Sequence, residues 1–144
     1  MRISGPAEVT RLSPLLFDAL TEALARDPVS GELTLVARIQ AFIAGNLGDP
    51  GLTPETIAAA HHISVRYLQK LFQQEGRTVA GWIRRRRLEQ CRRDLADPRL
   101  AGRSITAIAA RWGFASPAHF SHAFRGAYGV SPRQFRRRKA VRTD

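Results

Sequence analysis

One face of a predicted helix carries side chains that can bind the edges of nucleic-acid bases. Its polar members, spaced i, i+3, i+4 and i+7, are Arg66, Gln69, Lys70 and Gln73. Arginine and lysine donate hydrogen bonds to guanine O6 and N7, and glutamine pairs with adenine N6 and N7. Most helices have a solvated polar face, so this set indicates base contact only when its surroundings also favour nucleic acid.

A second predicted helix presents a comparable face. It opens at Ser116 and Pro117, because serine is a favoured N-cap and proline suits the first helical turn. Phe120 and Phe124, four residues apart, form its apolar stripe. The residues on the opposite side are Ala118, His119, Ser121, His122 and Arg125.

Each of these helices follows a shorter helix across a tight turn. Before the second one, Ile105, Ile108 and Trp112 form a one-sided apolar pattern at helical spacing. Gly113 ends the short helix, because glycine adopts left-handed backbone angles without a Cβ clash, and Phe114 can fill the gap between the helices. The pattern predicts a helix-turn-helix, in which the second helix is free to enter a DNA groove.

This unit occurs twice. The segment 57–59 repeats as 108–110, both Ile-Ala-Ala, at an offset of 51 residues. The capping and apolar positions of the next helix repeat at an offset of 52, since Ser64, Leu68 and Phe72 correspond to Ser116, Phe120 and Phe124. The second turn is therefore one residue longer, and the chain is predicted to hold two copies of one supersecondary unit.

The second copy carries a family resemblance. Its residues Ile105, Ile108, Ala109, Gly113, Phe114, Phe120, Phe124, Gly129, Ser131, Pro132, Phe135 and Arg136 resemble the signature of the AraC/XylS transcription regulators. The resemblance extends from about Leu33 to Arg138. It implies a DNA-binding domain with two helix-turn-helix units.

The resemblance also implies which residues contact bases. In the first unit these are Arg66, Gln69 and Lys70, and in the second they are Pro117, Ala118, His119 and His122. Members of this family often have arginine where this chain has His122, and the Pro117-Ala118 pair offers little hydrogen bonding. We therefore expect the first unit to carry more of the sequence preference, and the second to use methyl, phosphate or pH-dependent histidine contacts.

Phosphate contacts are expected from helix N-termini and basic side chains. The predicted set is Ser64, Tyr67, Arg85, Ser116, Ser121, Arg125, Arg133 and Arg136.

The formal charge of +11 is unevenly distributed. Residues 1–30 hold three arginines and four carboxylates, so they carry −1 and the rest of the chain carries +12. Such a field favours a polyanion, of which nucleic acid is the commonest in the cytoplasm. Charge alone leaves open a basic domain that is only soluble or that binds membrane surfaces.

The residues give little support to catalysis or metal binding. The single cysteine, Cys91, indicates no internal disulfide, and its place on an apolar stripe favours a core role over a reactive one. His119 and His122 share a face but lack a convincing third metal ligand, and the His61-His62 pair at a helix turn favours a structural role. We expect no enzyme, no cofactor and no metal.

The predicted fold is all-α, with about seven helices in two helix-turn-helix subdomains joined by a long central helix. Residues 1–31 are predicted as a tail, an amphipathic linker or interaction helix at Leu15–Leu24, and a linker at Val29–Glu32. Residues 32–139 form the DNA-binding domain, with its first helix at about Leu33–Asn46, and residues 140–144 a tail. The Leu15–Leu24 helix either packs on its own domain or binds another domain or a second copy.

The central helix is predicted over Val79–Ala96. About 18 residues give a length of roughly 27 Å, comparable to the ~34 Å between successive major-groove faces of B-DNA. A stiff helix of this length can hold two recognition helices in adjacent major-groove segments. A small shortfall would bend the duplex at a cost of about 1–6 kcal/mol.

These features favour a bacterial, cytoplasmic and nucleoid-associated regulator that binds double-stranded DNA sequence-specifically. The expected partners include RNA polymerase and either a second copy or a sensor domain that is absent from this chain. One alternative is an accessory protein that binds a partner regulator through its N-terminal helix. The other is a nonspecific DNA-packing protein. No apolar run approaches the ~20 residues of a membrane span.

Overall fold

The computed structural model describes residues 28–74 and 76–143. Within them the chain forms seven α-helices, one short 3-10 helix and no strand, which confirms the predicted all-α class. The α-helices are α1 (Pro28–Gly45), α2 (Pro54–Ala60), α3 (Val65–Gln73), α4 (Val79–Ala96), α5 (Ile105–Arg111), α6 (Pro117–Tyr128) and α7 (Pro132–Thr143). The predicted Leu15–Leu24 helix lies outside the described residues.

Two predicted boundaries were wrong. Residues 29–32 are not a linker, because α1 begins at Pro28. Proline is favoured at the first position of a helix, and Gly31 weakens the helix by about 1 kcal/mol relative to alanine without ending it. At the other end, α7 continues through residues 140–143, since no glycine or proline between 133 and 143 stops it.

Contacts divide the chain into two compact units. Of the described residues, the first unit contains 28–46 and those within 52–79, so it holds α1, α2 and α3. The second unit contains residues 47–51 and 80–143, so it holds α4 (apart from its first residue, Val79) and α5 to α7. Each unit has one helix-turn-helix, formed by α2 and α3 in the first and by α5 and α6 in the second.

The first unit closes around apolar side chains of its three helices, which pack against one another. Ile43 of α1, Ile57 of α2 and Phe72 of α3 are all 1 % exposed or less. The ring of Phe42 meets the His61 ring edge-on at a centroid distance of 5.1 Å, and His61 Nδ1 lies 2.9 Å from the Ile57 carbonyl oxygen. The structural role predicted for His61 is confirmed.

The second unit is built on a chain of aromatic rings. Its buried core contains Leu88, Cys91, Leu95, Ile108, Ala109, Phe114, Phe120, Phe124 and Phe135. Ring centroids are 5.0 Å apart for Phe114 and Phe120, and 5.7 Å apart for Phe124 and Phe135. The predictions that Phe114 fills the interhelical gap and that Phe135 folds back onto the core are confirmed.

Two side chains of α4 make polar contacts with other parts of the second unit. Trp112 Nε1 donates a 2.8 Å hydrogen bond to Asp94 Oδ2 on α4. The Arg92 guanidinium lies 4.8 Å from the Tyr128 ring centroid and 5.7 Å from that of Phe135, so one cation contacts both α6 and α7.

The two turns share one hydrogen-bond pattern. In the first, His62 N–H donates to the Ala59 carbonyl and Ile63 N–H to the Ala58 carbonyl. In the second, Gly113 N–H donates to Ala110 and Phe114 N–H to Ala109. Both are Schellman motifs, which satisfy the last carbonyl groups of the short helix. The turn residues between the helices are 61–64 and 112–116, so the predicted extra residue in the second turn is confirmed.

The predicted bounds of the long helix are confirmed by α4, whose 18 residues correspond to roughly 27 Å. None of the helices in the described part of the chain has the length and apolar character needed to cross a bilayer.

Candidate nucleic-acid interface

The N-terminal end of α3 is set by a side-chain cap. Ser64 has extended backbone angles, and its Oγ accepts a 3.0 Å hydrogen bond from Tyr67 N–H. This satisfies one of the amide groups that a helix leaves unpaired at its start. Leu68, Leu71 and Phe72 then bury the opposite side of the helix.

Burial of that apolar side leaves the predicted base-contacting residues of α3 facing outward. Arg66, Lys70 and Gln73 are exposed, and Gln69 is partly exposed. The face thus offers guanidinium, ammonium and amide donors side by side, and amide oxygens as acceptors. This combination can bind both guanine and adenine edges in a major groove.

The same construction positions α6. Ser116 Oγ accepts a 3.2 Å hydrogen bond from His119 N–H, and Pro117 occupies the first helical position. Phe120 and Phe124 are buried, and Gly129 ends the helix at a φ of 79°. The cap, the proline and the apolar stripe are therefore placed as predicted.

The outward face of α6 differs chemically from that of α3. Its exposed residues are Pro117, Ala118, His119, Ser121, His122 and Arg125. The imidazole of His119 lies against Phe114 at a centroid distance of 6.3 Å. The face is poorer in long hydrogen-bonding side chains than that of α3, and two imidazoles replace its amides.

The predicted phosphate-contacting residues fall into four groups. Ser64 and Ser116 already accept capping hydrogen bonds and lie at the starts of α3 and α6. Tyr67 is partly buried in the first turn of α3. Those exposed to solvent are Arg85, Ser121, Arg125 and Arg133. Arg136 instead lies partly buried, where its Nη2 donates a 2.7 Å hydrogen bond to the Leu100 carbonyl.

The sequence analysis missed a structural arginine within the run 84–87. Arg87 Nε donates to the Leu47 carbonyl and its Nη2 to the Asp49 carbonyl, both at 2.8 Å. Burial lowers the pKa of the Arg87 guanidinium, and the Asp49 carboxylate partly offsets this effect. Its spacing of four residues from both Ile83 and Cys91 could have indicated an inward position.

Glycine permits two close approaches around this arginine. A Cβ at Gly113, whose φ is 93°, would lie 2.9 Å from Arg87 Cζ. A Cβ at Gly48 would lie 2.7 Å from the Arg111 carbonyl oxygen. The loop 47–51 therefore depends on the absence of a side chain at Gly48, whereas a side chain at Gly113 would displace the Arg87 guanidinium.

Cys91 has the surroundings of a core residue. Its side chain is completely buried, and burial raises the pKa of the thiol to about 12, with the Asp94 carboxylate adding to the effect. A thiol of this kind is protonated and inert near neutral pH, because the thiolate is the reactive form. In the described residues, no group of three His, Cys, Asp or Glu side chains could hold a metal ion.

Comparison with known proteins agrees with this geometry. The family profile of a helix-turn-helix domain matches residues 57–138, more than half of the chain. The fold and the profile together define a helix-turn-helix DNA-binding protein.

Several bacterial regulators are similar in sequence. The chain is 36% identical to the transcriptional activator NphR of a Rhodococcus species over 128 residues, which are 88% of this chain and 37% of NphR. It is 30% identical to the XylDLEGF operon transcriptional activator 3 of Pseudomonas putida, over 88% of this chain and 38% of that protein. The chain therefore spans little more than a third of the length of these relatives.

The chain covers a larger share of one shorter relative and of one solved structure. The chain is 32% identical to the probable transcription factor PqrA of Proteus vulgaris, over 60% of this chain and 69% of PqrA. The C-terminal domain of AraT, a response regulator from Geobacillus stearothermophilus, superposes with a TM-score of 0.65 and 33% identity over 71% of this chain and 83% of that domain.

An AraC-type DNA-binding regulator from Chromobacterium violaceum superposes with a TM-score of 0.64 and 29% identity, over 71% of this chain and 88% of that one. The chain belongs to the AraC/XylS family of transcriptional regulators. It contains the DNA-binding domain of that family, whose members are regulators and not enzymes.

Proposed function

We propose that this domain binds double-stranded DNA sequence-specifically, with α3 and α6 inserted into adjacent major-groove segments, and so regulates transcription. The observation that carries the proposal is the repeated unit: two helices, each with a serine cap and a buried stripe, expose a polar face after the same turn. The helix after such a turn is the one that enters the groove in helix-turn-helix proteins.

The first unit is proposed to carry most of the base preference. Arg66 and Lys70 favour guanine, and Gln69 and Gln73 favour adenine, because their donors and acceptors match those bases in the major groove. The exposure of this face supports the assignment. Ala118, His119 and His122 are the proposed base contacts of the second unit.

The proposed phosphate contacts position the two helices on the duplex. They are Ser64, Tyr67, Arg85, Ser116, Ser121, Arg125, Arg133 and Arg136. For the two serines, the contact is proposed through the helix N-terminus that each one caps. For Arg136, only the guanidinium donors not bonded to Leu100 are available.

The wider role is proposed from the relatives. Two of them are transcriptional activators and are much longer than this chain. We propose that this domain acts in the bacterial cytoplasm, at the nucleoid, with RNA polymerase as a partner and with either a second copy or a separate sensor domain.

The test starts from a random-sequence duplex library, from which the protein selects its sites. Binding to a selected site and to a scrambled duplex is then compared at two salt concentrations. A specific regulator should discriminate by about 10³-fold or more and protect two consecutive major-groove segments in a footprint. Equal affinity for both duplexes with a steep salt dependence would indicate nonspecific packing and reject the proposal.

A further inference from the structure

Two exposed imidazoles occupy the outward face of α6. His119 and His122 are three residues apart, so they are neighbours on the helix surface. We propose that DNA binding by the second unit is coupled to protonation of His119 and His122, so that α6 binds guanine edges and phosphates more tightly in mildly acidic solution. This inference rests on the proposed insertion of α6 into the major groove.

The two histidines provide much of the hydrogen-bonding capacity on the outward face of α6. Pro117 and Ala118 have no side-chain donor, and Ser121 has a single hydroxyl. Arg125, a turn further from the N-terminus, is the remaining cation on this face. A neutral imidazole donates from one nitrogen, whereas an imidazolium donates from both and carries a charge. Protonation therefore changes the number of donors that α6 can offer to guanine O6 and N7 or to a phosphate.

The elements packed against α6 bring mainly positive charge. Residues 98–143 contain ten arginines and lysines and no aspartate or glutamate. The charged residues of the flanking helices are Arg111 on α5 and Arg133, Arg136, Arg137, Arg138, Lys139 and Arg142 on α7.

In the described residues, the remaining carboxylates of this unit are Asp49 in the loop 47–51, Asp97, which pairs with Arg99 at 3.0 Å, and Glu89 and Asp94 on the central helix α4. Asp94 accepts the hydrogen bond from Trp112, and Glu89 pairs with Arg86 at 3.0 Å. The other charged groups of this helix are Arg84, Arg85, Arg87, Arg92 and Arg93. Across the described residues, no carboxylate forms a hydrogen bond or an ion pair with His119 or His122.

DNA would thus supply an anionic partner that neither imidazole has among the described residues. A nearby opposite charge favours the charged form of a titratable group. The complex would then bind more protons than the free protein, and its affinity would rise as the pH falls from 8 to 6. Histidine is the side chain that ordinarily changes charge in this range.

The test measures the affinity of the full chain for a duplex that it has selected itself, between pH 6 and pH 8 at constant ionic strength. We expect wild type to bind about tenfold more tightly at pH 6 than at pH 8, a difference of about 1.4 kcal/mol. The salt slope should also be steeper at pH 6, by about 0.9 for each histidine that contacts a phosphate. The double variant His119→Gln/His122→Gln should lose both effects.

Two further variants separate charge from structure. His122→Arg keeps a cation at position 122 at every pH, so it should bind more tightly than wild type at pH 8 and respond less to pH. His62→Asn is the matched control, because His62 is an exposed histidine in the first unit at a φ of 57°, which asparagine also tolerates. This control should retain the full pH response.

A wild-type affinity that stays constant from pH 6 to pH 8 would overturn the proposal. So would a pH response that survives in the double glutamine variant while circular dichroism shows that variant to be folded. Failure of folded wild type to select any duplex at any pH would instead reject the proposed function, and this inference with it.

Discussion

His62 and Gly113 occupy the same position in the two helix-turn-helix units, and both have positive φ angles, 57° and 93°. Each amide donates to a carbonyl of the preceding short helix, at 3.2 Å from His62 and 3.1 Å from Gly113. His62 already has a Cβ in this position. A Cβ added to Gly113 would instead lie 2.9 Å from Arg87 Cζ. The same turn therefore holds a side chain in one unit, whereas in the other a side chain would displace the Arg87 guanidinium.

We expect Gly113→Ala to destabilise the protein by about 1–3 kcal/mol, since it adds both left-handed strain and a contact with Arg87. The equivalent change His62→Ala should alter the free energy of unfolding by about 0.5 kcal/mol or less, because one Cβ replaces another. Urea unfolding of both variants measures the difference. Similar losses in the two variants would show that the contact with Arg87 is unimportant.

Arg87→Ala should destabilise the protein by about 1–3 kcal/mol, because it leaves the carbonyls of Leu47 and Asp49 without their donor. Arg85→Ala is the matched control from the same run of arginines. Arg85 is exposed, so its loss should change stability by at most ~0.5 kcal/mol. If Arg85 contacts a phosphate as proposed, its loss should also lower the salt slope of DNA binding by about 0.9. Equal unfolding midpoints for the two variants would contradict the role of Arg87.

Gln69→Ala should relax specificity at one base position, at a cost of about 1–3 kcal/mol for the preferred base. The reason is that a glutamine amide both donates to and accepts from adenine. Binding to the selected site and to its single-base variants measures this effect. Gln74→Ala, at the end of α3, is the control and should leave the preference unchanged. Equal losses on selected and random duplexes would exclude a base contact by Gln69.

The buried thiol predicts a loss of stability in alkaline solution. Well below pH 9 the thiol is protonated in both folded and unfolded chains, so its contribution to stability is constant. Between pH 9.0 and about 12 the unfolded chain releases a proton that folded Cys91 retains. The free energy of unfolding should then fall with rising pH by up to about 1.4 kcal/mol per pH unit from this group. Cys91→Ala should have a shallower pH dependence, and parallel curves for the two proteins would refute the prediction.

Much of the fold was predictable because local signals agreed. Helix α6 was predictable from its serine cap, its first-turn proline and two phenylalanines spaced by four residues. The internal repeat then predicted its counterpart α3. The start of α1 was missed because Gly31 resembles a break, although the helix continues through it. Arg87 was missed because its role depends on carbonyl groups 38 and 40 residues away in the sequence, which no local pattern indicates. The exposure of the proposed base-contacting residues was predictable from periodicity, and their contacts with DNA remain predictions.

The hydrogen bond between Trp112 and Asp94 lies in the second unit, and so does Trp82, the other tryptophan of the chain. The first unit contains no tryptophan. Intrinsic tryptophan fluorescence should therefore monitor the melting of the second unit alone, while circular dichroism follows both. If the two signals separate on heating, the halves of this domain unfold independently, and if they coincide, the domain unfolds cooperatively.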